Sequence, residues 1–114
     1  MCRIVSEQEF RGELDDLLET LDGVEFCAVT GPGRSGAVAA VYTSHKLGVP
    51  FIPYGQPAPA HRGPLLIIDT AVQSGRTLRK ATNKYAYADP VAKAVYNEPP
   101  RVKFWYEQKE EVAA

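Results

Sequence analysis

The first twenty or so residues are divided sharply between apolar and polar positions. Phe10, Leu14, Leu17, Leu18 and Leu21 recur at intervals of three and four with charged residues between them, the period of a helix with one apolar face. Ser6 and Glu9 stand where a capping box needs them, the hydroxyl to receive the N–H at position 9 and the carboxylate to reach back. Val5 and Phe10 fit the hydrophobic staple that accompanies such a cap. The pattern predicts a helix over residues 6–22, closed by Gly23.

Past that glycine the period changes. Residues 24–29 (VEFCAV) read as a strand, cut off by GPGRSG at 31–36. Residues 37–47 return to helix-forming composition, with small residues that permit close packing on a sheet, and Gly48 can end that helix. Residues 49–54 (VPFIPY) read as a second strand whose two prolines confine it to an edge or an interrupted pairing. Residues 55–64 (GQPAPAHRGP) are loop-like. Residues 65–68 (LLII) read as a strand covered on both faces, and 75–85 as a helix. Two short strands follow at 94–96 and 102–106, then a polar tail over 108–114, loose at its end.

Strands that alternate with helices imply crossover connections and a mostly parallel sheet. The expected fold is therefore a single α/β domain over residues 1–114, a three-layer αβα arrangement with Rossmann-like topology. In such sheets ligands bind beyond the carboxyl ends of the strands. That places the GPGRSG turn and the DTAVQSGRT turn on one rim, each leading into a helix.

Bulk properties narrow the classes without choosing among them. A chain of 114 residues supports one core. With 45% apolar residues, 24% charged residues and a net charge of −1, nothing favours a nucleic-acid or anionic-membrane partner. No apolar run approaches the roughly 18 residues that a spanning helix needs, and MCRIVSEQEF lacks the apolar stretch of a secretory signal. Cys2 and Cys27 form no CxxC pair and no metal-ligand spacing with His45 or His61. Cys27, in a strand-like run, reads as a buried free thiol, and a reduced cytoplasmic setting is the expectation. His45 reads as a surface or packing residue.

The chemistry concentrates in the two turns. Ser74, Gly75, Arg76 and Thr77 close a strand-to-helix turn, where open backbone N–H groups and the helix dipole favour an anion. Arg76 either adds charge there or is solvated. Asp69, at the end of the strand, accepts hydrogen bonds only, so vicinal sugar hydroxyls suit it; the alternative is that it caps the turn. GPGRSG repeats the design around Arg34. Two such loops suit a ligand with two separated phosphate groups, although neither GxxxxGK[ST] nor GxGxxG is present.

These residues resemble the type I phosphoribosyltransferase family. Its signature is four hydrophobic residues, two acids, two apolar residues and a loop of the T-G-x-T kind, an order that LLIIDTAVQSGRT at 65–77 follows closely. GPGRSG is similar to the family's pyrophosphate loop, and the resemblance covers about residues 20–107. It implies that Gln73, Ser74, Gly75, Arg76 and Thr77 hold a 5′-phosphate, and that Asp69 and the adjoining Thr70 meet the ribose of phosphoribosyl pyrophosphate (PRPP). It further implies that Gly33, Arg34, Ser35 and Gly36 face the pyrophosphate, whose charge is shared with Mg²⁺ carried by the substrate. Phe104-Trp105-Tyr106-Glu107 resembles, more loosely, a purine-type base segment, with Trp105 or Tyr106 stacking and Glu107 accepting a ring N–H; core packing is the competing role for the aromatics.

The chain departs from that pattern in three places. Thr70 stands where the second acid usually is, as it does in uracil-type members, which also lack that acid. Gln73 stands where hypoxanthine-type members carry an acid able to act as a base. The catalytic loop is compressed into 55–64, with Arg62 as the group to stabilise departing pyrophosphate and His61 as a proton-transfer candidate; the competing reading, and the one favoured for both, is a solvated pair in a mobile loop. Little sequence is left for a base-selecting hood, which leaves room for a second copy of the chain, as a homodimer, to help close the site. The expectation is a small nucleotide-salvage transferase acting on a purine-type base. The alternative is a PRPP- or nucleotide-binding regulatory module without turnover.

Overall fold

The computed structural model describes residues 4–59, 62–71, 75–96 and 103–107. Helix α1 (Glu7–Glu19) begins as its cap predicts: Ser6 is extended and its hydroxyl accepts the Glu9 N–H at 3.1 Å, a contact worth about 1 kcal/mol. The Glu9 carboxylate accepts from the Tyr96 hydroxyl at 3.1 Å, which ties the start of the helix to the sheet. Val5 and Phe10 are both fully buried in one core cluster. The helix ends at Glu19, short of the predicted 22, and residues 20–23 form turns bonded back to it.

Three strands, β2 (Ala28–Thr30), β3 (Leu65–Ala71) and β4 (Pro90–Tyr96), lie in that order and are all parallel. Because β3 is paired on both sides, its LLII run is buried at every position. Alternate residues feed two cores. Leu66 and Ile68 join Phe10, Leu14, Ala39 and Ala40, from α1 and from α2 (Gly33–Leu47). Leu65 and Ile67 join Ala81 and Tyr85 at α3 (Arg76–Lys84). This is the αβα layering expected. A second, two-stranded parallel sheet pairs β1 (Ile4–Val5) with β5 (Lys103–Phe104), and Phe104 meets Phe10 and Tyr96 edge-on.

Several boundaries differ from the pattern. The strand expected over 24–29 is Ala28–Thr30, with Val24 and Glu25 exposed. β3 starts at Leu65, so earlier residues have no ladder to join, and the Cys27 N–H bonds instead to the Pro64 carbonyl at 3.0 Å. Cys27 is a free thiol but half-buried rather than buried. Residues 49–54 supply a single bridge, Phe51 to Val29, as their prolines suggested. α2 begins inside GPGRSG, and β4 begins four residues before the predicted 94. Trp105–Glu107 turns as a 3₁₀ helix where a strand was expected. Among the described residues no helix is long and apolar enough to cross a membrane.

Segment 54–59, which leads toward β3, is fastened by tyrosines. The Tyr85 hydroxyl accepts the Gly55 N–H and donates to the Gln56 carbonyl, each at 2.8 Å. The Tyr87 hydroxyl accepts the Ala58 N–H at 2.9 Å, and Ala58 is buried.

Candidate functional site

The carboxyl rim of the sheet is stepped. β2 ends at Thr30, paired with Ile67, whereas β3 continues four residues further, to Ala71, a rise of roughly 13 Å. Gly31 leaves β2 against the side of β3. A Cβ there would stand 2.0 Å from the Gly36 carbonyl oxygen and 2.6 Å from that of Ile68. Gly36 is equally confined, its Cβ position being 2.7 Å from the Gly31 carbonyl carbon. The first loop is thereby pressed flat onto the head of α2. Pro32 precedes α2 in extended conformation without a side-chain cap, and Gly33 is left-handed at φ 69°. Arg34 is exposed there and Ser35 half-buried.

The second loop ends on Gly75, left-handed at φ 78°, which heads α3, also without a side-chain cap. Its carbonyl accepts the Arg79 N–H at 3.0 Å. Arg76 and Thr77 follow, both exposed, while Gln73 and Ser74 lie outside the described residues. Whereas Ser6 caps α1, no side chain caps α2 or α3. Neither helix head is thus closed by a capping side chain at its N-cap position, and a helix N-terminus at the rim favours an anion.

Asp69 stands between the loops, next to the Ile68 carbonyl on which Gly31 rests. Burial raises the pKa of its carboxyl, and the hydrogen bond from the Thr70 N–H, at 2.8 Å to Oδ1, opposes that rise. Thr70 alternates to the opposite face, that of Leu66 and Ile68, and is buried. A second acid at this position would be turned into the α1–α2 core side, so threonine is the cheaper occupant.

The remaining candidates are distributed differently. Arg62 is exposed and precedes Gly63, whose Cβ position lies 3.2 Å from the Glu25 carbonyl oxygen. Together with the Cys27–Pro64 bond, this puts Arg62 at the amino end of β3, away from Asp69 at the carboxyl end. His61 lies outside the described residues, and His45 is exposed on α2. Trp105 is half-buried against Phe10, Tyr42 and Tyr106, with centroids 5.6, 6.3 and 4.9 Å away. Tyr106 stacks on Phe104 at 5.6 Å. These rings pack with α1 and α2; nothing is described of the Glu107 side chain.

Two residues at the site escaped the sequence pattern. Arg79 brings Nη1 to 3.2 Å from the Cβ position of Gly75; its place four residues after that glycine was the available signal, because helical side chains lean toward the N-terminus. Thr30, at the end of β2, gave no signal beyond adjoining the first loop.

No known protein-family profile matches the chain, and no curated protein matches it in sequence. Solved structures do. Xanthine-guanine-hypoxanthine phosphoribosyltransferase from Helicobacter pylori superposes with a TM-score of 0.75 at 15% identity, over 94% of each chain. Purine phosphoribosyltransferase from Pyrococcus horikoshii Ot3 gives 0.76 at 17%, again over 94% of each. A hypothetical protein from Neisseria gonorrhoeae with bound ppGpp gives 0.65 at 14%, over 91% of this chain and 81% of that one. The chain has the type I phosphoribosyltransferase fold.

Proposed function

We propose that the stepped rim binds PRPP and that the protein transfers its phosphoribosyl group to a nitrogenous base, of purine type by analogy with the neighbours named above. One observation carries this reading: two helices without side-chain caps, each headed by a left-handed glycine, open on the same rim with Asp69 between them. The α3 head would receive the 5′-phosphate, with Arg76, Thr77 and Arg79 beside it. The α2 head, with Arg34, would receive the diphosphate, and Asp69 would accept from the ribose hydroxyls.

In the reaction the bond from the anomeric carbon to the diphosphate oxygen breaks, and its electron pair leaves with the diphosphate. A base nitrogen then bonds to that carbon with its lone pair and gives up its proton to the departing diphosphate or to water. The protein's part is to hold the sugar in place and to offer N–H groups to the charge that builds on the leaving group. Among the described residues no three His, Cys, Asp or Glu side chains group to hold a metal ion. Mg²⁺ would come with PRPP, held by the oxygens of its diphosphate, and would supply positive charge there.

A second reading has its own support. Arg62 stands at the far end of β3, segment 54–59 is fastened by Tyr85 and Tyr87, and Trp105 and Tyr106 are packed in a ring cluster. These features suit a nucleotide-binding module without turnover, and one structural neighbour was solved with ppGpp. Thermal stability measured with PRPP plus Mg²⁺, followed by a base panel scored for pyrophosphate release, separates the two. A transferase shows stabilisation and release, and a binder shows stabilisation alone. No response to PRPP, ribose 5-phosphate or any nucleotide would sink both.

A further inference from the structure

The two outer layers of the domain carry opposite charge. Residues 7–22, which hold α1, supply seven of the chain's 14 acidic side chains against one cation, Arg11. α3 carries Arg76, Arg79, Lys80 and Lys84 and no acid. α1 and α2 cover one face of the sheet and α3 the other, so the net charge of −1 conceals an acidic side and a basic side. Asp15, Glu19 and Asp22 on one side, and Lys80 and Lys84 on the other, are all exposed.

This segregation weakens both helices. Asp15 and Glu19 are four residues apart, as are Arg76 and Lys80, and Lys80 and Lys84. Like charges at that spacing are neighbours on a helix and repel, whereas alternating signs would attract. A surface of opposite sign offsets the repulsion, and this same chain carries one. Between the ends of α1 and α2 lies an open groove of about 830 Å³, lined by Leu18, Leu47, Asp15, Glu19, Asp22 and Lys46. Lys46 is paired with Asp15 at 2.5 Å, which leaves Glu19 and Asp22 to make the groove acidic. Lysines suit it, because their apolar stems can cover the two leucines while their ammonium groups meet the carboxylates.

We propose that this groove receives α3 of a second copy of the chain, with Lys80 and Lys84 of one copy meeting Glu19 and Asp22 of the next. The two faces look away from each other across the sheet, so two copies cannot exchange both contacts about one two-fold axis. Association is therefore head-to-tail, each copy giving its α3 to one neighbour and its groove to another. Lys80 and Lys84 have no part in the proposed PRPP site, which draws on Arg76 and Arg79, so the inference stands apart from that reading.

The test is sedimentation velocity of the full chain. In about 0.01 M salt, where the screening length is about 30 Å, species heavier than the monomer should grow with concentration; about 1 M salt, where it is about 3 Å, should dissolve them. Lys80→Glu/Lys84→Glu should be monomeric in low salt, and so should Glu19→Lys/Asp22→Lys, each with the circular dichroism of the wild type. Mixed in equal amounts, the two variants should associate again, because each then offers the other an opposite face. The single variants Lys80→Glu and Glu19→Lys serve if either double variant does not fold. A wild-type chain that associates while the mixture does not would place the contact elsewhere and overturn the proposal. A wild-type chain that stays monomeric in low salt also overturns it, and capture of that monomer by polylysine or by heparin would give the two faces to other partners.

Discussion

The carbonyl oxygen of Gly36 occupies the space in which Gly31 would carry a side chain, 2.0 Å from its Cβ position. The obstructing atoms here and at Ile68 are backbone, which cannot swing aside as a side chain does. Gly31→Ala should therefore cost about 2–4 kcal/mol in urea unfolding. Gly12, on α1, has nothing within 4 Å of its Cβ position, and Gly12→Ala should gain about 0.5–1 kcal/mol. Similar values for the two variants would contradict the packing described.

Asp69 gives a pH dependence of defined sign. Its pKa in the folded state lies above the ordinary 3.8 because burial penalises the charged form, so over that interval the folded protein holds more protons than the unfolded one. Stability contributed by this group is present below the unfolded value and is lost as pH rises through the folded value. Asp69→Asn should accordingly raise the ligand-free Tm at pH 7, with the gain fading as pH falls through the raised folded value toward the ordinary 3.8. The same variant should lose its response to PRPP. A lower Tm at pH 7 would mean that the charged carboxylate is better compensated than its surroundings indicate.

At Gly75 stability and ligand response should part company. The left-handed backbone, φ 78°, penalises any residue with a Cβ by about 1–2 kcal/mol. The atom met by that Cβ is the flexible end of Arg79, which can move. Gly75→Val should thus remain folded, with a modestly lower Tm, and show no stabilisation by PRPP. Retention of the full PRPP response would remove the second loop from the site.

Tyr85 and Tyr87 allow the fastening of segment 54–59 to be apportioned. Tyr85→Phe deletes two hydrogen bonds at a buried side chain and should cost about 1–3 kcal/mol. Tyr87→Phe deletes one at an exposed ring, where water can replace it, and should cost less. Equilibrium unfolding of both variants decides the order.

The sequence made the layering legible because β3 is unusual in being apolar at four successive positions, and because α1 carries both its stripe and its cap. The two loops were legible as glycine-rich turns between strand and helix. Strand ends were not, since a strand runs only as far as a neighbour accompanies it. Val24 and Phe26 alternate like strand residues but lie ahead of Leu65, where the ladder starts. Pro90 and Lys93 look unlike strand residues but run beside β3. β1 depends on a partner at Lys103–Phe104, almost the whole chain away, and no local pattern reports it. Arg62 was placed in the site by a loop-length argument, and it was backbone contacts of its neighbours with Glu25 and Cys27 that located it elsewhere.

The step between the ends of β2 and β3 sets a length requirement on whatever binds across it. On the proposed reading, orthophosphate, pyrophosphate or ribose 5-phosphate alone would engage one helix head, and each would then bear the full entropic cost of association by itself. A molecule that joins the two anionic groups by a spacer of the right reach behaves as a chelate, its second end binding at a high effective concentration once the first is seated. PRPP should therefore stabilise the protein by more than ribose 5-phosphate and pyrophosphate supplied together at the same concentration. Variants that lengthen the β3 end, and so the span between the heads, should erase that advantage before they erase the binding of either fragment.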